Sequence, residues 1–243
     1  PNEDVKWNTE CTQDNLKITL LPQKELSNVE FYVENDCTFN SDSRFFANGF
    51  QSWTDSREFT VNDRIADLGF VGKSFFGRKF GLKYVGDYTF VNPEENSGEF
   101  HSFSFAYVRN EKQLDFVGSL DERTGFTVIY VDMNNDKIRY SKDLEGIKIS
   151  EPYEILNLCF VKGEYDEVFD RYFELLNVKP RTTQKLKGYT SWYNYYQKIN
   201  EDIILRDLNS ILKEKEYVNV FQIDDGYQTA VGDWLSINKD KFP

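Results

Sequence analysis

The chain has 243 residues, 40% of them hydrophobic and 16% aromatic, which is enough to close a sizeable core and too apolar for a disordered chain. Its 41 acidic and 29 basic residues leave a net charge of −12 with no basic stripe, which disfavours nucleic acid and anionic membranes as partners but carries no penalty for a neutral sugar. Three cysteines, Cys11, Cys37 and Cys159, without a CxxC pair and beside a single histidine, exclude a disulfide framework and a zinc site and leave room for one disulfide at most.

Residues 1 to about 160 read as many short strands. Leu16–Leu21 and Val29–Val33 alternate in part, Phe100–Tyr107 alternates almost strictly, and Phe126–Val131 and Ile147–Ile149 follow. Turn signals such as Asn96-Ser97-Gly98 and Asn134-Asn135-Asp136 separate them, a pattern that predicts an all-β sandwich. Over 164–177 the period changes: Tyr165, Val168, Phe169, Tyr172, Phe173 and Leu176 recur at helical spacing, and Pro180 closes the helix. A polar linker, Arg181–Lys187, then carries the boundary, giving a sandwich with a closing helix over 1–184 and a second domain over 185–243. Beyond it the order is strand, helix, strand: Tyr189–Asn194, a helix capped by Asn200 with the apolar stripe Ile204, Leu208, Ile211 and Leu212, and Val218–Ile223. Such a β-α-β unit predicts parallel strands with a right-handed crossover. Two strands alone would leave unpaired edges, so they are expected to bury themselves against the sandwich or against a second copy in a homo-oligomer.

Asp224-Asp225-Gly226 ends the last apolar run. By itself the triplet reads as a solvated turn, but at the carboxyl end of a parallel strand two adjacent carboxylates can accept hydrogen bonds from neighbouring hydroxyls and so orient a sugar ring. A retaining glycosidase needs its two carboxyls about 5 Å apart on either side of the scissile bond. Two neighbours at one strand end fit recognition better than catalysis. Trp192 and Trp53 are candidates for stacking on a pyranose face, with Tyr193, Tyr227, Asp233 and Trp234 as further candidates. Gly69–Ser74 resembles a phosphate loop, but Asp67 stands where its first glycine is required. His101 lies in an alternating strand without a nucleophile elbow, which speaks against Ser/His/Asp catalysis. No cofactor or metal is expected. No apolar run approaches the roughly 20 residues of a membrane span, no sequon is present, and Pro1-Asn2-Glu3-Asp4 is no signal peptide, so a cytoplasmic location is expected.

The runs Tyr189-Thr190-Ser191-Trp192-Tyr193-Asn194-Tyr195 and Phe221-Gln222-Ile223-Asp224-Asp225-Gly226-Tyr227, followed by Gly232-Asp233-Trp234 and Phe242-Pro243, resemble the melibiase-type α-galactosidases, glycoside hydrolase family 36. Asn48-Gly49-Phe50-Gln51-Ser52-Trp53 is similar to a motif of that family's N-terminal domain. The resemblance implies a β-supersandwich followed by the first two strands of a truncated (β/α)8 barrel, and a retaining hydrolase of terminal α-galactosides of the melibiose or raffinose type. It places the nucleophile and acid/base aspartates after later barrel strands, so this chain is expected to be inactive alone and to carry no catalytic residue. What it carries over is sugar recognition by Asp224, Asp225, Trp192 and Trp53. Tyr227 departs from the tryptophan common at its position in the family. An α-N-acetylgalactosaminidase, a galactosyltransferase of the raffinose-synthase type, and a carbohydrate-binding or interaction module without chemistry of its own are the alternatives.

Overall fold

A computed structural model describes residues 4–51, 54–65, 74 and 96–243. Two compact units emerge, Pro1–Val178 and Lys179–Pro243. The first is built on antiparallel strands. Seven of them form one sheet in the order β1 (Val5–Cys11), β2 (Asn15–Pro22), β13 (Tyr153–Gly163), β9 (Gln113–Ser119), β8 (Phe105–Asn110), β5 (Arg44–Ala47), β6 (Arg57–Phe59). Four form a second in the order β4 (Tyr32–Asp36), β11 (Lys137–Lys142), β10 (Thr127–Asp132), β7 (Glu99–Phe103), and β3 (Leu26–Ser27) pairs with β12 (Lys148–Ile149). The two larger sheets share one core, in which Ile18, Phe45, Val117 and Leu158 from the first meet Phe100, Ile129, Val131 and Tyr140 from the second. Across it Phe45 stacks on Phe100 with ring centroids 6.3 Å apart, and Tyr140 meets Phe160 edge-on at 6.0 Å. The unit is therefore a β-sandwich.

The run Phe100–Tyr107, expected as one strand, is two. Ser104 takes a left-handed backbone, φ 64°, and the chain crosses from one sheet to the other at that residue. Its N–H donates to Thr127 O at 2.9 Å on the four-stranded side, and its carbonyl accepts from Ser119 N at 2.7 Å on the seven-stranded side. The alternation survives the crossing because both sheets turn their even-numbered residues here, Phe100 and Ala106, into the shared core. The odd-numbered aromatics face outward under other cover: Phe103 under Phe50, and Phe105 and Tyr107 under the helix described next.

Helix α1 (Tyr165–Leu176) starts where Glu167 Oε2 accepts from Glu164 N at 3.2 Å and ends at Asn177, which is left-handed at φ 51°. Its buried residues Val168 and Tyr172 seat it on the outer face of the large sheet. Gly118 makes that seat possible, because a Cβ there would lie 2.5 Å from the Tyr172 ring. Tyr172 then donates its hydroxyl to Ser119 O at 2.8 Å. The expected strand over Val29–Val33 begins only at Tyr32: Phe31 O is taken by the Ser141 hydroxyl at 2.9 Å, and Asn28 is left-handed. Cys11, Cys37 and Cys159 are free thiols.

In the second unit β14 (Gly188–Thr190) pairs in parallel with β15 (Val220–Gln222), in the register Gly188↔Val220 and Thr190↔Gln222. Between them run α2 (Trp192–Tyr195) and α3 (Glu201–Ile211). Asn200 caps α3, its Oδ1 accepting from Ile203 N at 2.9 Å, and Ile204 is the buried residue of the stripe, whereas Leu212 is exposed. The first strand was expected to run to Asn194 but stops at Thr190. Ser191 is fully buried, with its N–H on Gln222 O and its hydroxyl committed to the neighbouring loop, so the chain turns there into α2. Of the described residues, no helix is long and apolar enough to cross a membrane. The phosphate-loop-like stretch lies outside the described residues except for Ser74.

The crossing at Ser104 predicts a residue-specific response. Ser104→Val forces a branched side chain into the left-handed region and is expected to cost on the order of 1–2 kcal/mol or more, whereas Ser104→Gly leaves stability unchanged within about 0.5 kcal/mol. Urea unfolding of the two variants checks this, and equal losses would refute the backbone argument.

Candidate functional site

The acidic pair lies just past β15, where the carboxyl ends of two parallel strands open. Donors from both strands hold Asp224. Thr190 Oγ1 donates to its Oδ2 at 3.1 Å, Gln222 Nε2 donates to the same oxygen at 2.9 Å, and Asp225 N donates to Oδ1 at 2.8 Å. Its own N–H rests on Ser191 Oγ at 3.0 Å. Asp225 is held more lightly, with its Oδ1 accepting from Gln228 Nε2 at 2.9 Å and the side-chain Oε1 of Gln228 accepting in turn from Gly226 N at 2.8 Å. An ionised carboxylate offers about four lone-pair sites. By that count Asp224 is nearly saturated, whereas among the described residues Asp225 Oδ2 has no hydrogen-bond partner. Asp225 is the side chain with acceptor capacity for an incoming hydroxyl.

The turn that presents the pair is fixed from two sides. Gly226 adopts φ +113°, and a Cβ on it would fall 2.6 Å from Gln197 O, so the loop after β14 packs directly on its backbone. Lys241 Nζ clamps both loops by donating to Gln197 O at 2.8 Å and to Gly226 O at 3.0 Å. Further out, Tyr227 donates its hydroxyl to Trp234 O at 3.0 Å, with ring centroids 6.5 Å apart, and Thr229 links to Asp233 Oδ2 at 3.3 Å. Behind β14, Tyr189 donates to Asp207 Oδ2 at 2.6 Å, and Arg206 bridges Asp207 to the Tyr195 hydroxyl. Burial and the Asp207 carboxylate push the Tyr189 phenol well above the usual tyrosine range, so it remains a donor throughout the neutral range.

Trp192 lies not on the first strand, as expected, but at the start of α2, half-buried and edge-on to Tyr196 at 5.2 Å. No hydrogen bond among the described residues joins it to either aspartate. Tyr193 is 83% exposed and Trp234 60% exposed, so both present ring surface to solvent. Trp53 lies outside the described residues. The described part of its motif is anchored on β7, with Asn48 N on Ser102 Oγ at 2.7 Å and Asn48 Nδ2 on Phe103 O at 2.9 Å. His101 is buried in β7 against the Phe103 ring. Thr190, Ser191, Gln222, Gln228 and Lys241 are the supporting residues that sequence reasoning passed over. They are ordinary polar side chains whose partners lie across a strand pair or a loop, and no local pattern marks them. Among the described residues, no group of three His, Cys, Asp or Glu side chains converges on a metal position.

No protein-family model matches the chain. The likeness to the α-galactosidases therefore rests on the spaced motifs of the sequence.

Gly226→Ala meets both a backbone unfavourable to any side chain and the Gln197 carbonyl, so a loss of about 1–3 kcal/mol or more in local stability is expected. Gly232→Ala, also at positive φ (+88°) but with nothing within 4 Å, is expected to lose less. Amide hydrogen exchange at Asp224 and Asp225 distinguishes them: it should accelerate in the first variant and stay near wild type in the second.

Proposed function

We propose that this chain is the sugar-recognising part of a retaining α-galactosidase, with the Asp224 and Asp225 pair forming the recognition site for the terminal galactose: Asp225 accepts hydrogen bonds from its hydroxyls and Asp224 fixes the turn that presents it. The observation that carries the reading is the acidic pair itself. One carboxylate is locked by three donors and its neighbour, among the described residues, keeps acceptor capacity, at the carboxyl end of two parallel strands. Asp224 sets the position of the turn. Asp225 reads the hydroxyls, and a stereoisomer that cannot donate to it leaves the carboxylate unpaired. Trp192, Tyr193 and Trp234 supply apolar surface for the ring, as Trp53 does by the resemblance. As neighbours at one strand end, the pair does not flank a scissile bond as an acid and a nucleophile must, so glycosidic cleavage belongs to other carboxylates of the barrel that the resemblance implies.

An aryl α-galactoside assay tests this on the 243-residue chain and on the full product of its reading frame. The full product is expected to turn over and the 243-residue chain alone is not. Asp225→Asn is expected to lower kcat/KM of the full product by about 10- to 100-fold, the worth of one hydrogen bond to a charged group, while the unfolding midpoint stays put. Failure of the full product on every α-galactoside would remove the reading.

A further inference from the structure

The outer face of the four-stranded sheet carries a second cluster with the chemistry of a ligand site. Arg139 on β11 stands directly opposite Tyr130 on β10, and Tyr32 on β4 is its diagonal neighbour. Its guanidinium lies over the Tyr130 ring at 4.4 Å and near the Tyr32 ring at 5.7 Å. Arg139 is half-buried, yet among the described residues no carboxylate pairs with it and no acceptor takes its N–H groups. Glu34, opposite it in the ladder, sits instead with Lys137 at 3.6 Å. Five donors in a planar fork, held in place by two rings, are thus left directed at a partner that the described residues do not supply.

These residues line a cavity of about 420 Å³, large enough for one or two sugar rings. Its walls are preformed. Ser141 donates to Phe31 O at 2.9 Å and ties the loop before β4 to the sheet, and Ile147 N donates to Leu144 O at 3.1 Å in the opposite loop. Glu30 and Glu145, both exposed, add carboxylate acceptors to the lining. Tyr32 is 63% exposed, so ring surface remains available for stacking. Two exposed carboxylates stand beside one guanidinium, the other cation of the lining, Lys142, is buried with its ammonium on Asp121 O at 2.7 Å, and the chain carries a net charge of −12, which together disfavour an anion. A polyhydroxylated neutral ligand uses every group: an apolar ring face for Tyr32, hydroxyl oxygens for the guanidinium, and hydroxyl protons for the glutamates.

We propose that this cavity is a carbohydrate-binding subsite for a neutral pyranoside, built from Tyr32, Tyr130, Arg139, Glu30 and Glu145 and independent of the Asp224 and Asp225 site. The open cavity and small number of anchors set an affinity on the order of millimolar.

Titration of the ¹⁵N-labelled 243-residue chain with melibiose, cellobiose and glucuronate tests it. Shifts at the amides of 28–32 and 141–146 are expected with one or both neutral disaccharides. They should persist in Asp224→Asn/Asp225→Asn and weaken by about tenfold or more in Tyr32→Ala and Arg139→Gln. Shifts confined to residues around 224–228, shifts at the cavity with glucuronate alone, or none at about 50 mM sugar each overturn the proposal, the last against a millimolar expectation. Should Arg139→Gln unfold, the wild-type shift map decides. Aryl α-galactoside turnover by the full product of the reading frame, read separately, is expected to be unmoved by Tyr32→Ala, so failure here and failure of the hydrolase reading are distinct results.

Discussion

One residue ties the two sheets of the sandwich together. Ser104 gives its N–H to the four-stranded sheet and its carbonyl to the seven-stranded sheet, and does so from a left-handed backbone that a longer or branched residue would resist. Because the chain changes sheet there without changing parity, Phe100 and Ala106 both enter the shared core while Phe103 and Phe105 are sent to opposite outer faces of the unit. Each outer face then needs its own cover. The large sheet receives α1, which fits because Gly118 leaves room for Tyr172 and Ser119 O accepts its hydroxyl. The small sheet receives Phe50, edge-on to Phe103 at 5.2 Å and Phe126 at 5.3 Å, over one end of its face. Further along the same face the cover gives way to the cavity around Arg139.

In the second unit the corresponding constraint is a shared oxygen. Thr190 on one strand and Gln222 on the other both donate to Asp224 Oδ2, which fastens the strand ends together beyond their three-residue ladder. A parallel pair this short is marginal by its backbone bonds alone. The side-chain bonds, the Lys241 clamp and the Gly226 contact together hold the presentation of the turn. The same accounting separates the two aspartates by role. A carboxylate that already accepts from three donors is poorly placed to accept more, so the residue that fixes the turn is not the one best able to read a ligand.

Much of this was open to reading before any coordinates. Helix α1 was legible because its apolar spacing faces a sheet, and α3 because Asn200, Glu201 and Asp202 announce its start. The acidic pair stood out because two charges at the end of an apolar run have no role in packing. The failures share one cause, namely local patterns overridden by distant partners. Phe100–Tyr107 keeps a nearly strict period of two through Ser104, and nothing in a serine announces a positive φ. Tyr189–Asn194 is rich in residues that favour strands, yet Ser191 is drawn to the Asp224 amide, more than thirty residues away, and the strand ends. Propensity loses there to a buried hydrogen bond whose partner lies outside any local window. The Tyr32, Arg139 and Tyr130 cluster was invisible for the same reason, since it is assembled by ladder register across three strands.

The two proposed sites are constrained by charge in the same direction. An anion brought within about 4 Å of an aspartate at a partly solvated surface meets repulsion on the order of 4 kcal/mol, more than a single hydrogen bond returns. Among the described residues no ion pair reaches Asp224 or Asp225, and the Lys241 ammonium in the same loops is committed to two carbonyls. Around Arg139 the guanidinium offsets the repulsion only in part, because Glu30 and Glu145 share the lining. A cation would be welcomed at the acidic pair and opposed at the arginine. A neutral polyol meets the requirement of both proposed sites, since its hydroxyls donate to carboxylates and accept from a guanidinium without carrying charge into either place.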